Sequence, residues 1–318
     1  MSQTEGIVIR ATSGIYTVQS SGHVVHCTLR GNLKKDLQYS TSTSLARRVT
    51  RAKRPYTRDA LVVGDRVRFS ATDNAAGIIE EILPRTSHFS RSGFRGKEHT
   101  LVSNLDLLFV VFASAEPRLD PWKLDRFLVA AESEEIAPLI VANKKDLVDD
   151  REYHAAFDPF AELGYRVFPT SAKKNEGIDD LRAALKDKIS AFVGPSGAGK
   201  SSLLNAIQPG LNLVTADIGN VTFKGRHTTT SAQLIPLRTG GWVADTPGLR
   251  NFDILDLDAG DVPHCFPEFR PLLGQCRFDD CRHHSEPGCA IKQAVESGAV
   301  QSRRYESFLI LAKELSGK

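Results

Sequence analysis

No apolar run in this 318-residue sequence approaches the roughly 20 residues needed to span a bilayer. Its start, Met1-Ser2-Gln3-Thr4-Glu5, lacks the basic and apolar parts of a secretory leader. Neither a membrane-spanning nor a secreted protein is expected, and the expected location is the cytoplasm. Net charge is scarce: 41 Lys and Arg against 38 Asp and Glu leave +3, too little by itself to demand a nucleic-acid partner. Cysteine is sparse, and its count of five does not suit a fully paired disulfide framework. Three of the five, Cys276, Cys281 and Cys289, cluster near the C-terminal end. In a reducing compartment such a cluster points to metal rather than to disulfides. Internal repeats are absent. Apolar and charged fractions of 41% and 25% are ordinary for a globular chain, and the length suits two or three domains.

What is present is a set of four guanine-nucleotide motifs. Asn143-Lys144-Lys145-Asp146 reads as a base clamp and Thr170-Ser171-Ala172-Lys173 as the loop that backs it. The phosphate loop follows, Gly194-Pro195-Ser196-Gly197-Ala198-Gly199-Lys200-Ser201, with Ser202 next to it. Asp245-Thr246-Pro247-Gly248, a metal and γ-phosphate switch, comes last. An ordinary GTPase runs phosphate loop, switches, then base clamp, so this order implies a circularly permuted GTPase domain.

Each motif has a chemical reason. Glycines let the phosphate loop curl so that its N–H groups face phosphate oxygens. Lys200 would neutralise β/γ charge, Ser201 would ligate Mg²⁺, and the following helix would aim its positive end at the phosphates. The Asp146 carboxylate can accept hydrogen bonds from N1–H and the 2-amino group of guanine, a donor pair that adenine lacks. Ser171 and Ala172 support that clamp, and Lys144 would lie along the base plane. Asp245 is the expected partner of Mg²⁺, directly or through water, and the Gly248 N–H would touch the γ-phosphate. Between phosphate loop and Asp245 lies His227-Thr228-Thr229, where a Mg²⁺-sensing switch threonine belongs; Thr228 and Thr229 are both candidates.

The rest of the chain frames these motifs. Residues 1–90 read as an RNA-binding β-barrel of the oligonucleotide-binding type. Its short β-branched runs are Gly6–Arg10, Gly14–Val18, His23–Leu29, Asp65–Phe69 and Gly77–Ile82. Between strands lies a Ser/Thr-rich insert that carries Arg47, Arg48, Arg51, Lys53 and Arg54 with no acidic residue among them. A solvated loop would have this composition, and so would a phosphate-backbone contact. Residues 91–255 alternate strand and helix, the pattern of an α/β P-loop domain. Leu105–Phe112, Pro138–Ala142, Tyr165–Phe168, Ile189–Val193 and Gly241–Ala244 are predicted strands. The last four deliver Asn143, Ser171, Gly194 and Asp245 at their C-terminal ends, where ligands bind in open α/β sheets. Asp120-Pro121 predicts a helix start. Residues 256–318 form a third, mostly helical unit with a metal site.

That site is Cys276, Cys281, His283 and Cys289, spaced C-x4-C-x-H-x5-C. Three thiolates and one imidazole fill a tetrahedral zinc shell without an open position, so the site is expected to be structural. His284 competes with His283 for the imidazole role, and Cys265 lies outside the spacing. Cys27 reads as a buried small hydrophobe in a strand.

Together these features resemble the RsgA (YjeQ) family of circularly permuted, ribosome-associated GTPases, over nearly the whole chain. The shared features are the barrel, the motif order, the C-x4-C-x-H-x5-C spacing, the His-Thr-Thr segment at His227 to Thr229 and an apolar residue after Asp-x-x-Gly at Leu249. The resemblance implies a late assembly factor for the small (30S) ribosomal subunit. Such a factor binds 16S rRNA near the decoding region and departs on GTP hydrolysis. GTP or GDP, Mg²⁺ and one structural Zn²⁺ are the expected ligands, and a monomer is expected.

Leu249 stands where Ras-like enzymes carry a water-orienting glutamine. A leucine cannot hold water, so His227 or a bound partner is expected to do so, and intrinsic turnover should be slow. Three other readings stay open on sequence: an ATPase, which Asn143 and Asp146 disfavour; a nucleotide-gated RNA-binding scaffold; and a zinc-dependent interaction module. Because the chain leaves the switch at Gly248 and runs into the cysteine-bearing unit, γ-phosphate sensing is expected to reach that unit mechanically.

Overall fold

The computed structural model describes residues 4–12, 14–30, 61–72, 75–92, 98–211, 232–245 and 257–317. In chain order the first seven strands are β1 (Thr4–Thr12), β2 (Ile15–Ser20), β3 (His23–Leu29), β4 (Arg66–Ala71), β5 (Ala76–Ile82), β6 (His88–Ser92) and β7 (Glu98–Ser103). They are followed by β8 (Leu107–Ala113), β9 (Ala137–Asn143), β10 (Val167–Pro169), β11 (Ile189–Val193), β12 (Gln233–Pro236) and β13 (Trp242–Asp245). The α-helices are α1 (Pro121–Ser133), α2 (Asp150–Ala161), α3 (Ile178–Leu185), α4 (Lys200–Ile207), α5 (Ala290–Glu296) and α6 (Ser302–Ser316). Residues 1–105 with 225–249 form one compact unit, and 106–224 with 250–318 form the other. The basic segment with Arg47, Arg48, Arg51, Lys53 and Arg54 lies outside the described residues. Among the described residues, no helix is long and apolar enough to cross a membrane.

In the first unit, strands pair in the order β1-β2-β3-β5-β4, and β4 returns to β1, closing a five-stranded barrel. All five expected strands are present. Their alternation explains the closure: in β3, Val25, Cys27 and Leu29 point inward while His26 and Thr28 point out. The barrel core is Val8, Tyr16, Val18, Val25, Cys27, Leu29, Leu61, Val67, Phe69 and Ile79. Cys27 is fully buried, and burial pushes its thiol up to about 11, so it behaves as a small hydrophobe. A buried ion pair secures the barrel's exit: Arg85 grips Asp65 with two bonds of 2.6 and 2.8 Å, and the Val62 N–H donates to the same carboxylate at 2.8 Å. β1 has a second use. Its register shifts between Val8 and Arg10, and Arg10 then pairs antiparallel with Gln233 of β12, which pairs with β13.

In the second unit, β10, β9, β8 and β11 lie side by side, all parallel. β8 and β11 are buried almost throughout, as strands covered on both faces must be. Phe109 stacks on Phe192 with ring centroids 4.8 Å apart. The chain moves outward from β8 to β9 to β10, then returns to place β11 on the opposite side of β8. The β8–β11 boundary is therefore the topological switch point, where the crevice for a ligand opens. Helix α1 begins as expected, with the Asp120 carboxylate accepting from the N–H groups of Trp122 and Lys123 and Pro121 in the first turn.

Residues 257–317 pack on that same helix. Val129 and Ala130 of α1 share one core with Val262, Phe266, Phe269, Ile291, Val300, Phe308 and Leu311. Beside it runs a charge network. Asp125 of α1 has no exposed surface and accepts from Arg303 at 2.5 Å and Arg304 at 2.6 Å. Arg304, equally buried, also grips Glu268 at 2.6 and 3.1 Å. Burial alone would lower the Arg304 pKa, but Glu268 and Asp125 outweigh it and hold the guanidinium charged.

Removing Arg304 leaves Glu268 without its guanidinium and Asp125 with one of two. Arg304→Ala is therefore expected to cost about 3–5 kcal/mol, read as a lower urea midpoint. Arg126→Ala, which removes a more exposed pair with Glu314, should cost about 0–1 kcal/mol.

Candidate functional site

The crevice at the switch point is built from three loops. β11 ends at Val193, and Gly194 turns the chain with a φ of +138°. A Cβ there would fall 2.1 Å from the carbonyl oxygen of Val111 on β8, so only glycine lets the loop leave the sheet at this point. Pro195, Ser196, Gly197 and Ala198 carry the loop to Gly199 and into α4. The N-terminal N–H groups of that helix have no intrahelical partner, an arrangement that attracts phosphate. Lys200 Nζ donates to the carbonyls of Gly194 at 2.7 Å and Pro195 at 2.8 Å, which holds the ammonium over the loop. Ser201 and Ser202 follow in the first turn of α4.

Asn143 ties the loops together. Its side chain is 1% exposed at the end of β9. Nδ2 donates to the carbonyl of Ala198 in the phosphate loop at 2.9 Å. Oδ1 accepts from the N–H of Ala172 at 3.3 Å and from Thr170 Oγ1 at 3.4 Å, both in the backing loop. Gly199 sits against this amide: with φ at +92°, a Cβ would come within 2.3 Å of Asn143 Nδ2. Thus the base clamp, backing loop and phosphate loop share one side chain. Thr170 and Ala198 both belong to the motifs as read, but the bonds by which they join the loops depend on contacts that the motifs do not spell out.

Asp146 Oδ1 accepts from Ser171 Oγ at 2.6 Å, and Ser171 Oγ accepts from the Lys174 N–H at 3.1 Å. Nothing among the described residues bonds Asp146 Oδ2, so one oxygen is fixed and the other remains for a donor. Lys144 takes a left-handed conformation, φ 59°, and its Nζ donates to the Glu116 carbonyl. Lys145 turns toward α2, where it pairs with Asp150 at 2.5 Å and lies 5.2 Å from the Tyr153 ring centre. Asp245 closes β13, in the other unit, and its Oδ2 accepts from Gln233 Nε2 at 3.4 Å. His227, Thr228, Thr229, Gly248 and Leu249 lie outside the described residues.

The cysteine cluster does assemble. One ligand atom each from Cys276, Cys281, His283 and Cys289 lies within 4.8 Å of the others. His283 Nδ1 is 3.4 Å from the sulfurs of Cys276 and Cys289, and those sulfurs are 4.0 Å apart. A tetrahedral ion with bonds of about 2.0–2.3 Å sets ligand edges of about 3.5–3.8 Å, so the group fits a metal. His283 faces the cluster, while His284 contributes its backbone N–H to Glu286 at 2.9 Å. Cys265 packs in the neighbouring core. Glu286 belongs to the segment Glu286-Pro287-Gly288, which reads from sequence as a turn between ligands. Hydrogen bonds from its own N–H and those of Arg282, His284 and Ser285 hold its carboxyl down at about 2, so it stays charged wherever thiolates bind metal. Tyr305 donates to the His283 carbonyl at 2.8 Å, joining α6 to the metal loop.

The family model for the RsgA GTPase matches residues 82–255, and that for the RsgA N-terminal domain matches residues 5–43. The small ribosomal subunit biogenesis GTPase RsgA of Gemmatimonas aurantiaca is 43% identical, over 99% of this chain and 98% of that protein. The protein of the same name from Moorella thermoacetica is 40% identical, over 98% of this chain and 97% of its own length. Among solved structures, YjeQ from Thermotoga maritima superposes with a TM-score of 0.80 at 34% identity, covering all of both chains. YloQ, described as a circularly permuted GTPase, gives 0.74 at 31% identity over 99% of this chain and 96% of its own.

Two outcomes are expected from this geometry. Gly199→Ala combines a left-handed strain with a clash on Asn143, and should weaken GDP binding by about 10- to 100-fold in a fluorescent-nucleotide titration. Elemental analysis should find one divalent metal per chain, lost in Cys281→Ala and His283→Ala and kept in His284→Ala.

Proposed function

The chain belongs to the RsgA GTPase family, and from that we propose that this GTPase acts late in maturation of the small ribosomal subunit. It binds 16S rRNA and uses GTP hydrolysis to time its release. The observation that supports this reading most is the Asn143 amide, which joins a guanine-selective clamp to a phosphate loop. The relatives' names supply the small subunit as the setting. The barrel fold offers a surface of the kind that binds nucleic acid, and the basic segment at Arg47, Arg48, Arg51, Lys53 and Arg54 supplies charge for a phosphate backbone. We expect the protein to work as a cytoplasmic monomer.

In this reading guanine sits between Asn143, Asp146, Ser171 and Ala172, with Lys144 along its plane and Lys145 bracing the clamp against α2. Gly194 to Ser202 wrap the phosphates, and Lys200 neutralises their charge. Mg²⁺ is held by Ser201 and by Thr228 or Thr229, with Asp245 as a further partner and Gly248 on the γ-phosphate. Held there, Mg²⁺ would supply positive charge against the phosphates during hydrolysis. Thr229 is a catalytic candidate as the switch threonine, and His227 orients the attacking water where Leu249 stands in place of a glutamine. The metal at Cys276, Cys281, His283 and Cys289 is zinc in a structural role, because three thiolates and an imidazole leave no open position.

The test is GTP turnover by the purified chain, alone and with small ribosomal subunits, beside ATP. Slow GTP turnover that rises strongly with the subunit is expected, with no ATP turnover; a rate the subunit does not change would detach the protein from the ribosome. His227→Ala should lower the stimulated rate by about 100-fold or more while leaving GDP affinity unchanged. Full stimulated turnover would remove His227 from the mechanism.

A further inference from the structure

Asp245 stands at one end of a polar row whose other members belong to none of the nucleotide motifs. Cross-strand pairing runs from Asp245 on β13 to Gln233 on β12, to Arg10 on β1, to Thr17 on β2 and to His26 on β3. Gln233 Nε2 donates to Asp245 Oδ2 at 3.4 Å, and Gln233 Oε1 accepts from Arg10 Nη2 at 2.8 Å. Beyond Arg10, Thr17 Oγ1 and His26 Nδ1 are 3.4 Å apart. Arg10, Thr17, His26 and Gln233 also line a cavity of about 250 Å³ with Ile9 and Leu234.

The amide at the centre is specified by its neighbours. A carboxylate only accepts hydrogen bonds and a guanidinium only donates them. Glutamine is the side chain that can donate toward one and accept from the other at the same time. Turning the amide over would set oxygen against oxygen and N–H against N–H, so its orientation is fixed. The Arg10 charge pulls electron density toward Oε1 and makes Nε2–H a stronger donor. Asp245 is thereby held from behind by a chain anchored on the barrel.

We propose that Gln233 is a positioning residue for the nucleotide's metal, with Arg10 as its anchor. It fixes the Asp245 carboxylate in the orientation that supports Mg²⁺. The inference rests on the reading of Asp245 as a partner of Mg²⁺.

The experiment measures GTP hydrolysis as a function of Mg²⁺ concentration, and GDP affinity in EDTA, in the full-length chain. Gln233→Leu should raise the half-saturating Mg²⁺ concentration by about 10-fold, the loss of one hydrogen bond to a charged group. GDP affinity without metal should stay within about twofold, since among the described residues Gln233 bonds to no nucleotide-binding motif residue other than Asp245. Gln233→Glu separates positioning from packing. It keeps the volume and the Arg10 partner but sets a second carboxylate against Asp245, so it should be worse than Gln233→Leu. Arg10→Met should shift the Mg²⁺ requirement in the same direction by less. A milder effect of Gln233→Glu than of Gln233→Leu, or an unchanged Mg²⁺ requirement in both, overturns the inference. Asp245→Asn is the control: if it too leaves the requirement unchanged, the reading of Asp245 has failed and the inference falls with it. If Asp245→Asn shifts it and the Gln233 variants do not, only the inference fails.

Discussion

One buried amide organises this molecule's chemistry. Asn143 has two polar ends and spends both on protein: one on the phosphate loop, the other on the backing loop. In a buried setting, an unmade hydrogen bond at either end costs about 1–3 kcal/mol, so the three loops are held in one geometry. The strand order makes this bridge reachable. β9 and β11 flank β8 on opposite sides, and their C-terminal ends carry Asn143 and the phosphate loop to the same edge of the sheet. Gly194 and Gly199 are the corresponding constraints on backbone, one against Val111 and one against Asn143 itself. Permutation leaves all of this intact, because sheet contacts do not depend on where the chain is cut.

The C-terminal segment with the Cys276, Cys281, His283 and Cys289 cluster is tied to the same scaffold in a way that the cut does affect. It follows the switch in sequence, and it also docks on α1 through a shared core and the Asp125, Arg303, Arg304 and Glu268 network. α1 begins shortly after β8, the strand that borders the nucleotide crevice. Besides the expected link to the switch, a buried ionic clamp fixes this segment to α1. Because Asp125 and Arg304 at the centre of that clamp are both desolvated, its geometry is strongly specified, and a shift of α1 would carry the metal loop with it through α6 and Tyr305.

Much of this was legible in the sequence, and the reasons are local. The barrel strands, the parallel strands leading to Asn143 and Gly194, the Asp120 cap and the four-ligand cluster are each written in one short stretch of chain. They appear as alternation, apolar runs, turn chemistry or fixed spacing. The features that were not legible depend on register or distance. Asp125 and Arg304 are charged residues that periodicity would place at the surface, and only the packing of α6 on α1 buries them together. Gln233 is an ordinary strand residue until β1 shifts register after Val8 and sets Arg10 beside it. Glu286 looked like turn polarity; the curled metal loop aims four N–H groups at it. In each case the partner is chosen by the fold.

The account stands on guanine recognition by the Asn143 and Asp146 clamp, and base exchange tests it most directly. Guanine offers N1–H and a 2-amino group to the Asp146 carboxylate; xanthine offers N1–H and a 2-oxo group, which an amide suits better. Equilibrium binding of GDP and xanthosine diphosphate should favour GDP by about 100-fold or more in the unaltered chain, because a mismatched polar partner in a built site is penalised heavily. Asp146→Asn should invert that order. Equal affinity for the two nucleotides in the unaltered chain, or a preference that Asp146→Asn leaves in place, would contradict the account.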